Sequence, residues 1–201
     1  MVNALKSRLD RHFVACSAAA AAASVGGVAQ QNAEAAIVYT GTPLVIPGTF
    51  AGVYLNVFTG FSAGAPNPGW DLNPYEGGNR LFQALGAGWV ASGGIASNLI
   101  AGTMIDGTST FAAGNGSPTM TGNFISGTPG IIGFRFAEGG FTYYGWARLN
   151  KGANATTAGS FVDYAWENTP NTGIAAGAIP TPGSLALLAL GAAGLVGRRR
   201  K

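Results

Sequence analysis

The chain reads as an all-β protein, a single antiparallel β-sandwich of jelly-roll or lectin-like type followed by a short C-terminal hydrophobic helix. Three observations lead there. Across residues 36–178, Gly, Pro, Thr, Ser and Asn interrupt short aromatic and β-branched runs at close intervals. No stretch of that region sustains a helical period. Residues 52–59 are fairly apolar on both alternating series, Val53, Leu55 and Val57 against Tyr54, Asn56 and Phe58, as for a strand held between two layers.

The first 35 residues stand apart from this body. Lys6, Arg8 and Arg11 precede an apolar stretch at 13–29, and Ala33-Glu34-Ala35 offers a small-x-small cleavage site. That order describes a signal peptide handled by the Sec translocon. Cys16 stands near the start of the apolar stretch, whereas a lipidated cysteine follows one. Within the body, residues 80–85 and 88–91 read as strands like 52–59. Residues 93–123 have few aromatics and scattered turn residues, which predicts short strands and long loops. Residues 130–136 put Ile132, Phe134 and Phe136 on one face, and Glu138-Gly139-Gly140 turns the chain into a strand over 141–149. A Gly, Asn and Thr loop at 150–159 leads to 160–167, where Val162, Tyr164 and Trp166 alternate with Phe161, Asp163, Ala165 and Glu167. The C-terminal third is thus a three-stranded meander.

Residues 69–76 read as a Pro- and Gly-rich loop holding the candidate binding residues. Asp71, Asn73 and Glu76 place three oxygen donors close together, the hard-ligand set that calcium takes, although the spacing is not that of an EF-hand. An Asx turn, with Asp71 and Asn73 bonding nearby backbone N–H groups, accounts for the same residues without a metal. Trp70 and Tyr75 flank the turn residues and are the aromatics placed for exposure and for stacking on a sugar ring. Trp146 and Trp166, on adjacent strands, belong to the core. Arg135 and Arg148 lie on facing strands of the hairpin and are expected to pair with Asp163 or Glu167 on a solvated face, each such surface pair contributing up to about 1 kcal/mol. Asn115-Gly116-Ser117 and Asn154-Ala155-Thr156 are sequons whose loop composition alone explains them.

At the C-terminus, Pro180-Thr181-Pro182 bars helix up to Pro182, which then suits a first helical position. Residues 184–197 carry no charge, and Arg198, Arg199, Arg200 and Lys201 follow without interruption. A helix of that length reaches about 21 Å, short of a hydrocarbon core about 30 Å thick. The basic end stays in the cytoplasm. Such a segment suits a transient hold in the inner membrane that is later cut.

This arrangement of Pro-Thr-Pro, hydrophobic helix and basic tail over residues 179–201 resembles the PEP-CTERM sorting domain of bacterial envelope proteins. Thr181 replaces the glutamate of the usual Pro-Glu-Pro. The resemblance implies processing by an exosortase during export, in a Gram-negative-type cell, alongside an extracellular polysaccharide system. It implies a place in the cell envelope or on the extracellular surface. Gly69-Trp70-Asp71-Leu72-Asn73-Pro74-Tyr75, and Phe134-Arg135-Phe136 with Tyr144-Gly145-Trp146-Ala147, are similar to segments recurrent in such proteins. They imply a shared sandwich without an activity.

Removing both ends changes the composition. Of eleven Lys and Arg, only Arg80, Arg135, Arg148 and Lys151 lie in the body, against Asp71, Glu76, Asp106, Glu138, Asp163 and Glu167. The basic balance of the chain therefore belongs to its targeting ends, and nucleic acid is not implied. The single Cys and the single His leave with the signal peptide. A thiol nucleophile, a Ser-His-Asp triad and a His or Cys zinc site are excluded from the body, and so are disulfides. Packing alone must hold about 145 residues together, enough for one core.

Three functional classes follow. The first is an exported, non-enzymatic envelope or extracellular-matrix protein that associates with extracellular polysaccharide, without a cofactor. The second is a carbohydrate-binding, lectin-like module with an exposed aromatic platform near Trp70 and Tyr75. The third is a glycosidase with two acids about 5–10 Å apart across a cleft.

Overall fold

The structure, a computed structural model, describes residues 37–112 and 116–180. The expected signal peptide, the expected hydrophobic helix and the basic tail from Thr181 onward, and Asn115 of the first sequon lie outside the described residues. Strands β1 (Ile37–Thr40), β2 (Leu44–Ile46), β3 (Tyr54–Leu55), β4 (Ser62–Ala63) and β5 (Leu72–Tyr75) lead into a 3-10 turn at Glu76–Gly78. Next come β6 (Arg80–Gln83), β7 (Gly88–Trp89), β8 (Ala91–Ser92), β9 (Ile95–Ala96) and β10 (Met104–Ile105). The longest strands follow, β11 (Gly130–Glu138), β12 (Phe141–Asn150) and β13 (Gly159–Glu167), before a short β14 (Ile174–Ala175). The fold is all-β, as its composition requires.

The large sheet has the order β1-β13-β12-β11-β7, with β2 also beside β13. A four-stranded sheet, β4-β3-β5-β6, forms the second layer. Gly139 and Gly140, at φ 58° and 82°, join β11 to β12 in the left-handed geometry whose twist suits a two-residue hairpin. Pairing then runs unbroken from Glu138 opposite Phe141 to Gly130 opposite Leu149. The meander expected from the sequence is the spine of the molecule, and 93–112 with 116–123 holds short strands between long loops, also as expected.

Between β12 and β13 the register slips, because Arg148 faces Asp163 while Leu149 faces Phe161, leaving Val162 as a bulge. Phe161 therefore joins Tyr164 and Trp166 in the core cluster. Strict alternation had placed Phe161 on the opposite face with Asp163, and the bulge corrects it. The 52–59 strand is also shorter than expected. Asn56 closes a tight turn, its side-chain Oδ1 accepting from Thr59 N at 2.8 Å and its carbonyl from Gly60 N at 2.9 Å. Val53, Leu55 and Val57 are nonetheless buried, as their alternation predicts.

Ile132, Phe134 and Phe136 of β11, Ala147 and Leu149 of β12, and Phe161 and Trp166 of β13 pack against Leu55, Leu72 and Leu81 of the small sheet. The reverse face of the meander is covered too. Tyr144, Trp146 and Ala165 meet Val90, Ile105, Ile174 and Ala176 there. The Trp146 indole donates to the Ala178 carbonyl at 2.9 Å, and β14 pairs with β10. Trp89, Trp146, Phe134, Phe136 and Phe161 are fully buried. Each removes roughly 150–250 Å² from water, about 4–6 kcal/mol of gross burial before conformational entropy is charged against it. In a body without disulfides these rings are the main source of stability.

Gly145 lets Phe134 lie against β12. A Cβ there would collide with the Phe134 ring and stand 2.6 Å from the Ala165 carbonyl oxygen. Gly145→Ala should cost about 1–3 kcal/mol and lower the thermal midpoint by several degrees, read by circular dichroism. Gly64→Ala, where a Cβ meets nothing within 4 Å, should leave the midpoint within about 2 degrees. Equal midpoints for the two variants would refute the packing account.

Candidate functional site

The outer face of the small sheet carries a row of aromatics. Residues 69–76, read from the sequence as a loop, contain β5, and their alternation sends Leu72 into the core while Asn73 and Tyr75 turn outward. Pro74 has no N–H to give, and its carbonyl accepts from Val53 N at 3.1 Å. The β3–β5 ladder accordingly shrinks to one pair, Leu55 with Leu72. Gly52, at φ 66°, brings the preceding segment so close to β5 that a Cβ would stand 2.5 Å from Tyr75 Cβ. That approach sets Phe50 edge-on to Tyr75, ring centroids 5.3 Å apart.

A cleft of about 290 Å³ opens among Phe50, Tyr54, Asn73, Tyr75, Phe82 and Ser117. Phe50 is 81% exposed at its rim. The Tyr75 hydroxyl and Ser117 Oγ share a 2.7 Å hydrogen bond, and Asn73 Nδ2 donates to the Ala51 carbonyl at 2.9 Å. Trp70 stacks on Phe82 at 5.8 Å and takes Tyr54 edge-on at 5.0 Å. Aromatic walls with a few oriented polar groups are the general make-up of a small-molecule site.

The two aromatics expected to be exposed are placed differently. Trp70 is half-buried in its stack, and Tyr75 is 8% exposed, covered in part by Phe50. Tyr75 lines the cleft, whereas Trp70 supports it through Tyr54 and Phe82. Sequence reasoning missed Phe50, Tyr54, Phe82 and Ser117. Phe50 was legible only as a large apolar residue between Thr49 and Ala51 in a segment with no strand pattern, a weak signal.

Asp71, Asn73 and Glu76 do not converge on one point. Asp71 Oδ2 accepts from Val57 N at 2.8 Å, Asn73 turns its amide to Ala51, and Glu76 pairs with Arg80 at 3.3 Å. Asp71 and Glu76 flank opposite ends of β5, about 16 Å of extended chain apart, where calcium needs its ligands within about 2.6 Å. The loop reading behind both the calcium and the Asx-turn accounts fails because this segment is extended and paired. Among the described residues, no three Asp, Glu, His or Cys side chains cluster around a common point.

The remaining acids are tied into the framework. Asp163 accepts from Arg148 Nε at 2.6 Å and from the Tyr39 hydroxyl at 2.9 Å, and the Arg148 guanidinium also lies 5.8 Å over the Trp146 ring. The Asp163 side chain is almost fully buried, so this is more than the surface pair the sequence predicted. Its carboxylate raises the Tyr39 pKa through their hydrogen bond, and likewise raises that of Arg148. Arg135 pairs with neither acid and instead stacks over Phe111 at 4.6 Å. Glu167 Oε1 accepts from Thr169 N at 2.8 Å. Asn154 Oδ1 accepts from Thr156 N at 3.0 Å, an Asx turn that accounts for the second sequon. The aromatic cleft has no carboxylate among its described lining residues, nor do two further clefts, one beside Val90, Ser97 and Ile105 and one beside Ala91, Thr110 and Phe111.

Burial pushes the Asp71 carboxyl up from 3.8 to about 6, against the Val57 N–H, which pulls it down, and with a smaller push from Glu138. A raised carboxyl pKa means that the folded state holds the proton more tightly than the unfolded chain does. Stability is therefore lost as pH rises from about 4 to 6, by up to roughly 3 kcal/mol. Asp71→Asn keeps an oxygen for Val57 and has no charge to bury. It should be more stable than the parent at pH 7 and nearly equal to it at pH 4 in urea titrations. A variant less stable at pH 7 would show that the charged form is the favoured one.

Residues 178–201 match the PEP-CTERM protein-sorting motif. No curated protein and no solved structure matches the chain significantly. The match begins at Ala178, the residue whose carbonyl the Trp146 indole holds, and Ile179 and Pro180 beyond it are exposed. The chain is an exported protein bearing a PEP-CTERM sorting motif, handled by an exosortase-type system with transient anchoring in the membrane.

Proposed function

We propose that this is a non-enzymatic protein of the cell envelope or extracellular matrix that associates with extracellular polysaccharide through the outer face of its small sheet. The observation that carries this reading is the aromatic cleft around Phe50, Tyr54, Tyr75 and Phe82, rimmed by an 81% exposed phenylalanine. An exposed ring of that size costs free energy in water and gains contact when a sugar face covers it. The lining of this cleft, which holds no Asp or Glu among the described residues, favours binding over hydrolysis there, because both standard glycosidase geometries need an acid pair about the substrate. The scattered placement of Asp71, Asn73 and Glu76 favours binding without calcium.

The exported chain should co-sediment saturably with extracellular polysaccharide from the producing cells, equally in calcium and in chelator, and should release no new reducing ends. Phe50→Ala should weaken that binding about three- to tenfold while leaving the thermal midpoint unchanged, since Phe50 touches the body chiefly through Tyr75. Undiminished binding by Phe50→Ala would move the site elsewhere, and accumulation of reducing ends would make the protein an enzyme.

A further inference from the structure

The aromatic cleft has a neighbour. Ser117, whose hydroxyl meets Tyr75, also lines a second cleft of about 280 Å³ beside Ala91, Thr110, Phe111, Gly116 and Pro118. Gly93 and Gly94, in the turn between β8 and β9, line it too, at φ 58° and 78°, with nothing within 4 Å of either Cβ position. The turn leaves that rim low and open.

Among the described residues, neither lining contains an Asp, Glu, Lys or Arg. Glu76 and Arg80, which lie next to the first cleft in sequence, are paired with each other. Arg135 stacks on the Phe111 ring and is not part of the second lining. An anionic chain entering these clefts would shed water from its carboxylates onto linings that hold no charged side chain among the described residues, an unfavourable exchange. A neutral chain loses little and can stack C–H faces on Phe50, Tyr54 and Phe82 while its hydroxyls meet those of Tyr75, Ser117 and Thr110. Each cleft sits just below the roughly 300–1,000 Å³ of small-molecule sites, room for a short part of a polymer.

From this arrangement we infer that the two clefts, meeting at Ser117, form one track for an extended, uncharged polysaccharide. The inference rests on the polysaccharide reading and specifies its ligand as neutral and its site as longer than one cleft.

The test is calorimetric titration of the full exported chain with linear neutral glucans and mannans from disaccharide to octasaccharide, and with polyuronates of matching length, at low and high salt. Affinity for a neutral series should rise with length until both clefts are filled and should not change with salt. Phe50→Ala should weaken every length about tenfold. Thr110→Trp, at an exposed position lining the second cleft, should remove only the gain from length, and Ser117→Ala should reduce it without altering the fold. Preference for polyuronates, with loss in Phe50→Ala, would overturn the neutral track while leaving the polysaccharide reading intact. Length-independent binding insensitive to Thr110→Trp would overturn the joined track. Failure of both classes of polymer would remove both readings.

Discussion

The packing of aromatic rings on both faces of the β11–β12–β13 meander is the interaction on which the rest of this structure depends. An antiparallel sheet usually keeps one face solvated, which gives its strands an apolar-in, polar-out alternation. Here Phe134, Phe136 and Trp166 fill one side and Tyr144, Trp146 and Ala165 the other. With no cysteine after Cys16 to cross-link the body, two covered faces provide what one would not. The short strands on either side are too small to persist alone, since a two-residue ladder such as β10–β14 brings few hydrogen bonds. They hold because the sheet beneath them is rigid.

This dependence explains what could be read from the sequence. The meander was legible because 130–167 spells out three alternating runs, a Gly-Gly turn and a Gly-rich loop, all local signals. The sorting segment was legible for a similar reason, since proline, apolar run and basic tail are contiguous. The small sheet was legible only in the runs that hold β3 and β6, because β4 has two residues and β5 contains Pro74. Their pairing is set by what covers them, and no local pattern encodes that. The bulge at Val162 escaped notice because a one-residue register shift leaves composition unchanged and alters only which face each residue meets.

The cleft illustrates the same division. Asp71, Asn73, Tyr75 and Trp70 are near one another in sequence and were naturally grouped as a site. The fold instead joins Tyr75 to Phe50 across the Gly52 turn and to Ser117 from a distant loop. Trp70 becomes a support, and Asp71 serves the turn that carries Phe58 by accepting from Val57 N. The polar framework acts similarly, with Tyr39 of β1 and Arg148 of β12 closing on Asp163 of the strand between them.

The last held residue has a mechanical meaning. Tension applied through a gripped C-terminal tail enters the body at Ala178, passes to the Trp146 indole and then to the two-residue ladder of β14 on β10. Those contacts can be peeled one at a time, whereas the meander must shear many paired residues together. Under such a pull the β14 ladder is therefore expected to yield before the long strands move.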